Sequence, residues 1–152
     1  MNGWRILESL HGHAGVLAAA ALAHPAILLR NGAPLSWRSR WSVGLTAGFV
    51  VAAFASGLFI YGAYVEKLRV QLFLQNERAG LLFETKEHLA FAVTSLALGA
   101  GVCALAAPRG ARALRRAAAA AFGVAAVLCL FTAGLGTYIA SVHGFGAVTG
   151  TQ

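Results

Sequence analysis

Apolar residues dominate four stretches of the chain, and polar residues gather between them. The stretches cover residues 10–29, 42–64, 88–107 and 117–140. A membrane-spanning helix needs about 20 mostly apolar residues, because each residue of an α-helix rises only about 1.5 Å. Each stretch meets this length. The pattern therefore predicts an all-α fold in which one domain, residues 1–152, forms an integral membrane, antiparallel four-helix bundle.

The connection between the second and third spans, residues 65–87, is the longest segment outside the predicted membrane core. Its apolar residues recur at helical spacing with charged residues between them, which is typical of an amphipathic helix. We expect the second helix to extend out of the membrane or to bend along its surface. The sequence NERAG, residues 76–80, predicts a break before a second helical start that leads into the third span.

Composition supports a membrane protein and excludes an ordinary soluble domain. Hydrophobic residues make up 59% of the chain and charged residues 11%, whereas globular domains carry about 25% charged residues. A net charge of +7 would suggest nucleic acid as the partner of a soluble protein. Here the charges lie at the ends of apolar stretches, so the expected partner is a lipid bilayer and not a nucleic acid.

Basic residues are distributed unequally between the two ends of the predicted helices. The loops after the first and third spans hold seven arginines and no acidic residue: Arg30, Arg38, Arg40, Arg109, Arg112, Arg115 and Arg116. The opposite end holds all five glutamates. We call these the arginine end and the glutamate end. Short basic loops stay in the cytoplasm, so both termini and the 65–87 connection are predicted to lie on the non-cytoplasmic side.

Histidines provide most of the candidate chemistry. His11 and His13 begin the first span, His88 begins the third, and His143 follows the fourth. His24 lies about 16 Å deeper than His13 and is rotated from it by only roughly 20°, so both share one face of the helix. We expect the polar His24 to face the bundle interior. His13 would then face inward too, and His11 would be peripheral.

Two inward imidazoles at similar depth on different helices are what a bis-histidine haem iron requires. We therefore predict that His13 and His88 are the axial ligands of one haem b. Glu84, four residues before His88, is expected to accept the other ring N–H of His88. Three basic residues at the same end are candidates for neutralising the haem propionates: Arg69, Arg78 and Lys86.

The four-span layout and the histidines at the starts of the first and third spans resemble the small four-helix b-type cytochromes of bacterial membranes. This resemblance implies electron transfer between membrane quinol and an outward-facing redox partner, by a cytochrome or a cytochrome subunit in the bacterial inner membrane. We expect Glu84 and Glu87 to accept the quinol protons. The third span carries only His88, so a second bis-histidine haem lacks a partner.

His24 and the remaining histidines leave alternatives open. Pro25 leaves the Ala21 carbonyl without its intrahelical donor, and a nearby histidine, serine, threonine or water could repair this loss. His24 is therefore a structural residue, a proton relay or a lone axial ligand. His11 and His143 are alternate ligands. The chain contains no HExxH, P-loop, GxSxG or CxxCH motif, so no common hydrolase, nucleotide-binding or c-type haem signature is present.

A second hypothesis belongs to a different class. The chain contains 18 glycines, and small residues let membrane helices approach one another closely. These features suit a cofactor-free accessory subunit that packs against other subunits of a larger membrane complex. A reduced-minus-oxidised absorption spectrum separates this hypothesis from the cytochrome hypothesis.

Overall fold

The computed structural model describes residues 3–143 and the side chains of residues 3–141. This part of the chain is helical and contains no β-strand. Five α-helices follow one another: α1 Gly3–Leu29, α2 Trp37–Tyr64, α3 Val70–Gln75, α4 Glu77–Ala106 and α5 Arg112–His143. A π-helical turn, Val65–Arg69, joins α2 to α3 without interruption.

Four helical segments are long and apolar enough to cross a membrane: Gly3–Leu29, Trp37–Gln75, Glu77–Ala106 and Arg112–Ser141. Each contains one predicted span to within a residue, so the prediction of four helices long and apolar enough to span a membrane is confirmed. A lipid bilayer is the environment that such apolar helices fit. The first three segments extend beyond the predicted spans at the glutamate end, because charged residues there continue the helices and do not end them.

Asn76 separates the second long segment from the third. Its backbone leaves the helical region, with φ −153° and ψ 87°, and its N–H donates to the Leu72 carbonyl at 2.8 Å. The Asn76 side-chain oxygen accepts the N–H of Ala79 at 3.1 Å. Asparagine is a favoured N-cap because its side chain satisfies an N–H that has no helical partner. One residue thus ends α3 and caps α4, within the NERAG stretch where a break was predicted.

Each long helix packs against two others. Helix α1 packs on α2 and α5, and α4 packs on the same two helices. The interior is built mainly from small side chains, including the fully buried Ala97 and Ala125, which allow close helix approach. Buried apolar residues form a main apolar cluster that includes Ala18 and Cys129, and an end apolar cluster near the glutamate end that includes Tyr64 and Ile139.

Arg115 fastens the loops at the arginine end. Its side chain is only 1% exposed, although the sequence predicted an ordinary loop charge. The guanidinium donates to the carbonyl oxygens of Gly32 at 2.8 Å, Pro108 at 2.7 Å and Arg109 at 2.7 Å. Gly32 has a φ of 66°, which favours glycine, and a Cβ there would lie 2.7 Å from the Arg112 carbonyl oxygen.

Candidate functional site

Polar side chains form a layer between the two apolar clusters. On α1, His11 follows Trp4, which packs on the end cluster, and precedes Ala18 of the main cluster. On α2, α4 and α5 too, the residues of the layer lie between residues of the two apolar clusters. We call this set the polar layer: His11, Ser56, Gly57, Lys86, Glu87 and Gly136. All four long helices contribute to it.

His11 is anchored to α2. The Ser56 hydroxyl donates to the Ala53 carbonyl at 2.7 Å, so its oxygen accepts the Nδ1–H of His11 across 3.0 Å. This bond leaves Nε2 as the ring nitrogen with a free lone pair. A Cβ on Gly57 would lie 2.8 Å from His11 Cε1. Glycine at this position therefore makes room for the imidazole between α1 and α2.

Lys86 reaches from α4 to α5. A Cβ on Gly136 would lie 3.3 Å from Lys86 Cε, so glycine again provides the space for a polar neighbour. The Lys86 ammonium lies 5.5 Å from the centre of the Phe83 ring and within electrostatic range of His11, Glu8 and Glu87. The half-buried ammonium thus has a carboxylate from α1 and one from α4 within electrostatic range, and opposite charges favour its charged form.

Two buried polar atoms near the glutamate end have no hydrogen-bond partner among the described residues. They are Glu87 Oε1 and the Tyr64 hydroxyl, which lie within electrostatic range of each other. The Tyr64 ring stacks on Phe83 with ring centres 3.7 Å apart and an angle of 10° between the planes. A carboxylate oxygen accepts hydrogen bonds, whereas a phenol can donate one. Glu87 of the polar layer therefore has an unused acceptor, and Tyr64 of the adjoining end apolar cluster has an unused donor.

The predicted haem ligands point away from this layer. His13 and His88 are both exposed. The Nδ1–H of His13 donates to the Ser9 carbonyl, and that of His88 donates to the Glu84 carbonyl, each at 2.7 Å. Each lies two residues, or about 200° around its helix, from an inward-facing residue: His13 from His11 and His88 from Lys86. The main packing of helices α1 and α4 is on α2 and α5. In the single chain both imidazoles are therefore hydrogen-bonded to their own helices, and ligation of one haem by His13 and His88 remains a prediction.

The assignment of faces on α1 was wrong. His11 packs inside against α2, whereas His13 and His24 are exposed. The assignment assumed that His24 must face the interior to escape lipid. Instead, His24 lies at the edge between α1 and α2, where its Nδ1 is 2.7 Å from Ser42 Oγ. A hydroxyl on the neighbouring helix provides the polar contact without burial.

The hydroxyl that repairs the proline defect also comes from α2. Thr46 Oγ1 donates to the Ala21 carbonyl at 3.1 Å, and Thr46 is buried. The prediction that a polar neighbour satisfies this carbonyl is confirmed, and the donor is Thr46 rather than His24. Pro25 is itself buried within α1.

The other predicted site residues are distributed around the glutamate end. The Glu84 carboxylate pairs with Arg69 at 2.8 Å, so His88 receives only the backbone carbonyl of Glu84. The Arg69 guanidinium also lies 5.8 Å from the centre of the Phe73 ring. Arg78 is exposed, and the side chain of His143 lies outside the described residues. Lys86 faces the polar layer and its two carboxylates.

Sequence reasoning missed Ser56, Gly57, Tyr64 and Gly136 as members of a site. One signal was available on α4. Lys86 recurs at helical spacing with the buried or half-buried residues of the inward face, which are Ala79, Phe83, Ala90, Val93 and Ala97. A lysine on that face needs a partner on another helix.

Neither a metal site nor a similarity to known proteins identifies the role of this layer. Among the described side chains, those of residues 3–141, no group of three or more His, Cys, Asp or Glu is arranged to hold a metal ion. Comparison of the chain with protein-family models, with curated proteins and with solved structures finds no match.

Proposed function

We propose that the chain is a membrane-embedded subunit that binds the head group of a quinol in the polar layer and takes up its protons. The observation that carries this proposal is the pair of unpaired hydrogen-bonding atoms, Glu87 Oε1 and the Tyr64 hydroxyl, which lie within electrostatic range of each other. A quinol presents two hydroxyl groups. One can donate to the carboxylate, and the other can accept from the phenol.

The charges of the layer favour a neutral ligand. Lys86 is balanced by Glu8 and Glu87, which lie within electrostatic range of it, so an added anion would meet no excess of positive charge. Glu87 is the candidate base for the first proton, because a general base must lie within hydrogen-bond reach of the proton that it removes. His11 Nε2 is a second acceptor. The apolar clusters on both sides suit the hydrocarbon part of a membrane quinol.

The proposed orientation follows the basic loops. With the arginine end in the cytoplasm, the polar layer of this antiparallel bundle lies near the outer face of a bacterial inner membrane. Protons taken from quinol would then leave on that side. The electrons require a redox partner, which we assign to other subunits of a membrane complex. The proposed quinol-binding chain is then also an accessory subunit that packs against these redox subunits.

Quinone binding by paired variants tests the proposal. A short-chain quinone is titrated calorimetrically into the purified full-length protein in detergent, and its reduced form is titrated in the same way. Tyr64→Phe keeps the stacked ring and removes only the hydroxyl, while Glu87→Gln removes the base. We expect each to weaken binding by about tenfold or more, since a hydrogen bond to a charged or buried group contributes about 1.5–3 kcal/mol.

Glu84→Gln is the matched control. It lies three residues before Glu87 on the same helix, and its carboxylate pairs with Arg69 at the surface. We expect its quinone affinity to remain within about twofold of the unmodified protein, since exposed ion pairs contribute little. Equal affinities of Glu87→Gln and Glu84→Gln, in proteins with unchanged thermal unfolding, would contradict the proposed site.

A further inference from the structure

A groove of about 550 Å³ lies between α1 and α2, toward the arginine end. We call it the tryptophan groove. Its lining includes His24 from α1 and, from the first turns of α2, Trp37, Arg38, Trp41, Leu45 and Phe49. The polar layer lies at the other end of the same two helices, so the two sites are separate.

The apolar side of the groove is one continuous stripe. Trp37, Trp41, Leu45 and Phe49 are spaced four residues apart, and residues at this spacing are neighbours on one helix face. All four are exposed, from 71% for Trp37 to 50% for Phe49. The two indoles meet edge to face with ring centres 5.6 Å apart. Tryptophan is typical of the membrane–water interface, and leucine and phenylalanine continue the stripe into the hydrocarbon.

The polar side of the groove carries positive charge. Arg38 lies at the start of α2, beside Trp37 and Trp41, and His24 faces the same groove. No acidic residue occurs between Glu8 and Glu66 or after Glu87. The arginine end therefore contains no carboxylate that could neutralise Arg38. An arginine next to an interfacial aromatic pair matches an anionic head group with a hydrocarbon tail attached.

We propose that the tryptophan groove binds one phospholipid with an anionic head group. The phosphate contacts Arg38 at the interface, and one acyl chain lies along Leu45 and Phe49. The argument depends on charge complementarity and on the sequence of side chains along α2. It is independent of what the polar layer binds.

Native mass spectrometry of the delipidated full-length protein tests this site. Phosphatidylglycerol, phosphatidylcholine and free glycerol phosphate are added separately in detergent. Arg38→Gln is compared with Arg40→Gln, which removes the same charge from the same helix but from an exposed residue outside the groove lining. We expect phosphatidylglycerol to bind more tightly than phosphatidylcholine. Arg38→Gln should weaken its binding about tenfold, and Arg40→Gln should leave it within about twofold.

Phe49→Ala provides a second readout, because it shortens the apolar stripe without changing the charge. It should weaken the binding of both lipids, and all variants should unfold at unchanged temperature. Equal binding of the two lipids would overturn the head-group assignment. Equal losses in Arg38→Gln and Arg40→Gln would overturn the groove as the site. Glycerol phosphate binding as tightly as phosphatidylglycerol would identify a free phosphate site and overturn lipid binding.

Discussion

Replacing Arg115 by methionine removes the hydrogen bonds that link the two loops at the arginine end, while keeping an unbranched side chain. Three carbonyl oxygens lose a charged donor at 2.7 or 2.8 Å. The Gly32 carbonyl belongs to a buried residue, and leaving a buried acceptor unsatisfied costs about 1–3 kcal/mol.

The other two carbonyls belong to the exposed residues Pro108 and Arg109, so water can replace the guanidinium there. The net loss at each is about 0.5–1.5 kcal/mol. Together the three losses predict that Arg115→Met lowers the free energy of unfolding by about 2–6 kcal/mol. Arg115→Lys keeps the charge but not the planar fork of donors, so it should recover only part of this loss.

Equilibrium unfolding in detergent micelles measures the effect, with helix content as the signal. Arg116→Met is the matched control, because Arg116 is the neighbouring residue and is exposed. Its free energy of unfolding should change by no more than about 0.5 kcal/mol. A loss in Arg115→Met no larger than that in Arg116→Met would refute the assignment of Arg115 as a structural fastening. Quinone affinity should be unchanged in both, since the polar layer is at the opposite end.

Three further predictions concern the helix contacts and the haem. Gly57→Ala should destabilise the protein by about 1–3 kcal/mol, because the new Cβ meets the imidazole of His11. The control Gly48→Ala places its Cβ in open space and should not destabilise the protein. Thermal unfolding of the two variants measures the difference. Thr46→Val should cost about 1–3 kcal/mol in the same assay, since the Ala21 carbonyl loses its donor, and an unchanged stability would show that the carbonyl has another partner. Haem ligation by His13 and His88 predicts a b-type band in a reduced-minus-oxidised spectrum that is lost in His88→Ala and kept in His11→Ala, and fully loaded, folded protein without such a band would contradict the ligation.

The sequence was sufficient to predict the four long helices, because their apolar length leaves few other structures. It was not sufficient to predict which face of each helix points into the bundle. In a membrane helix both the lipid-facing and the inward faces are apolar, so hydrophobicity does not distinguish them, whereas small residues favour the inward face. His11 lies at heptad spacing with Ala18, whereas His13 does not. Partners on other helices, such as Ser42 beside His24, depend on tertiary packing and could not be predicted.

Helix α5 closes the space around Lys86. It packs on both α1 and α4, and a Cβ on Gly136 of α5 would lie 3.3 Å from Lys86 Cε. Without α5, the Lys86 side chain would lose this packing and would border the surroundings of the bundle. In a bilayer, a lysine exposed to lipid costs about 2.5–3.5 kcal/mol at the centre and less toward the surface. A change that loosens α5 would therefore expose a charge as well as apolar surface.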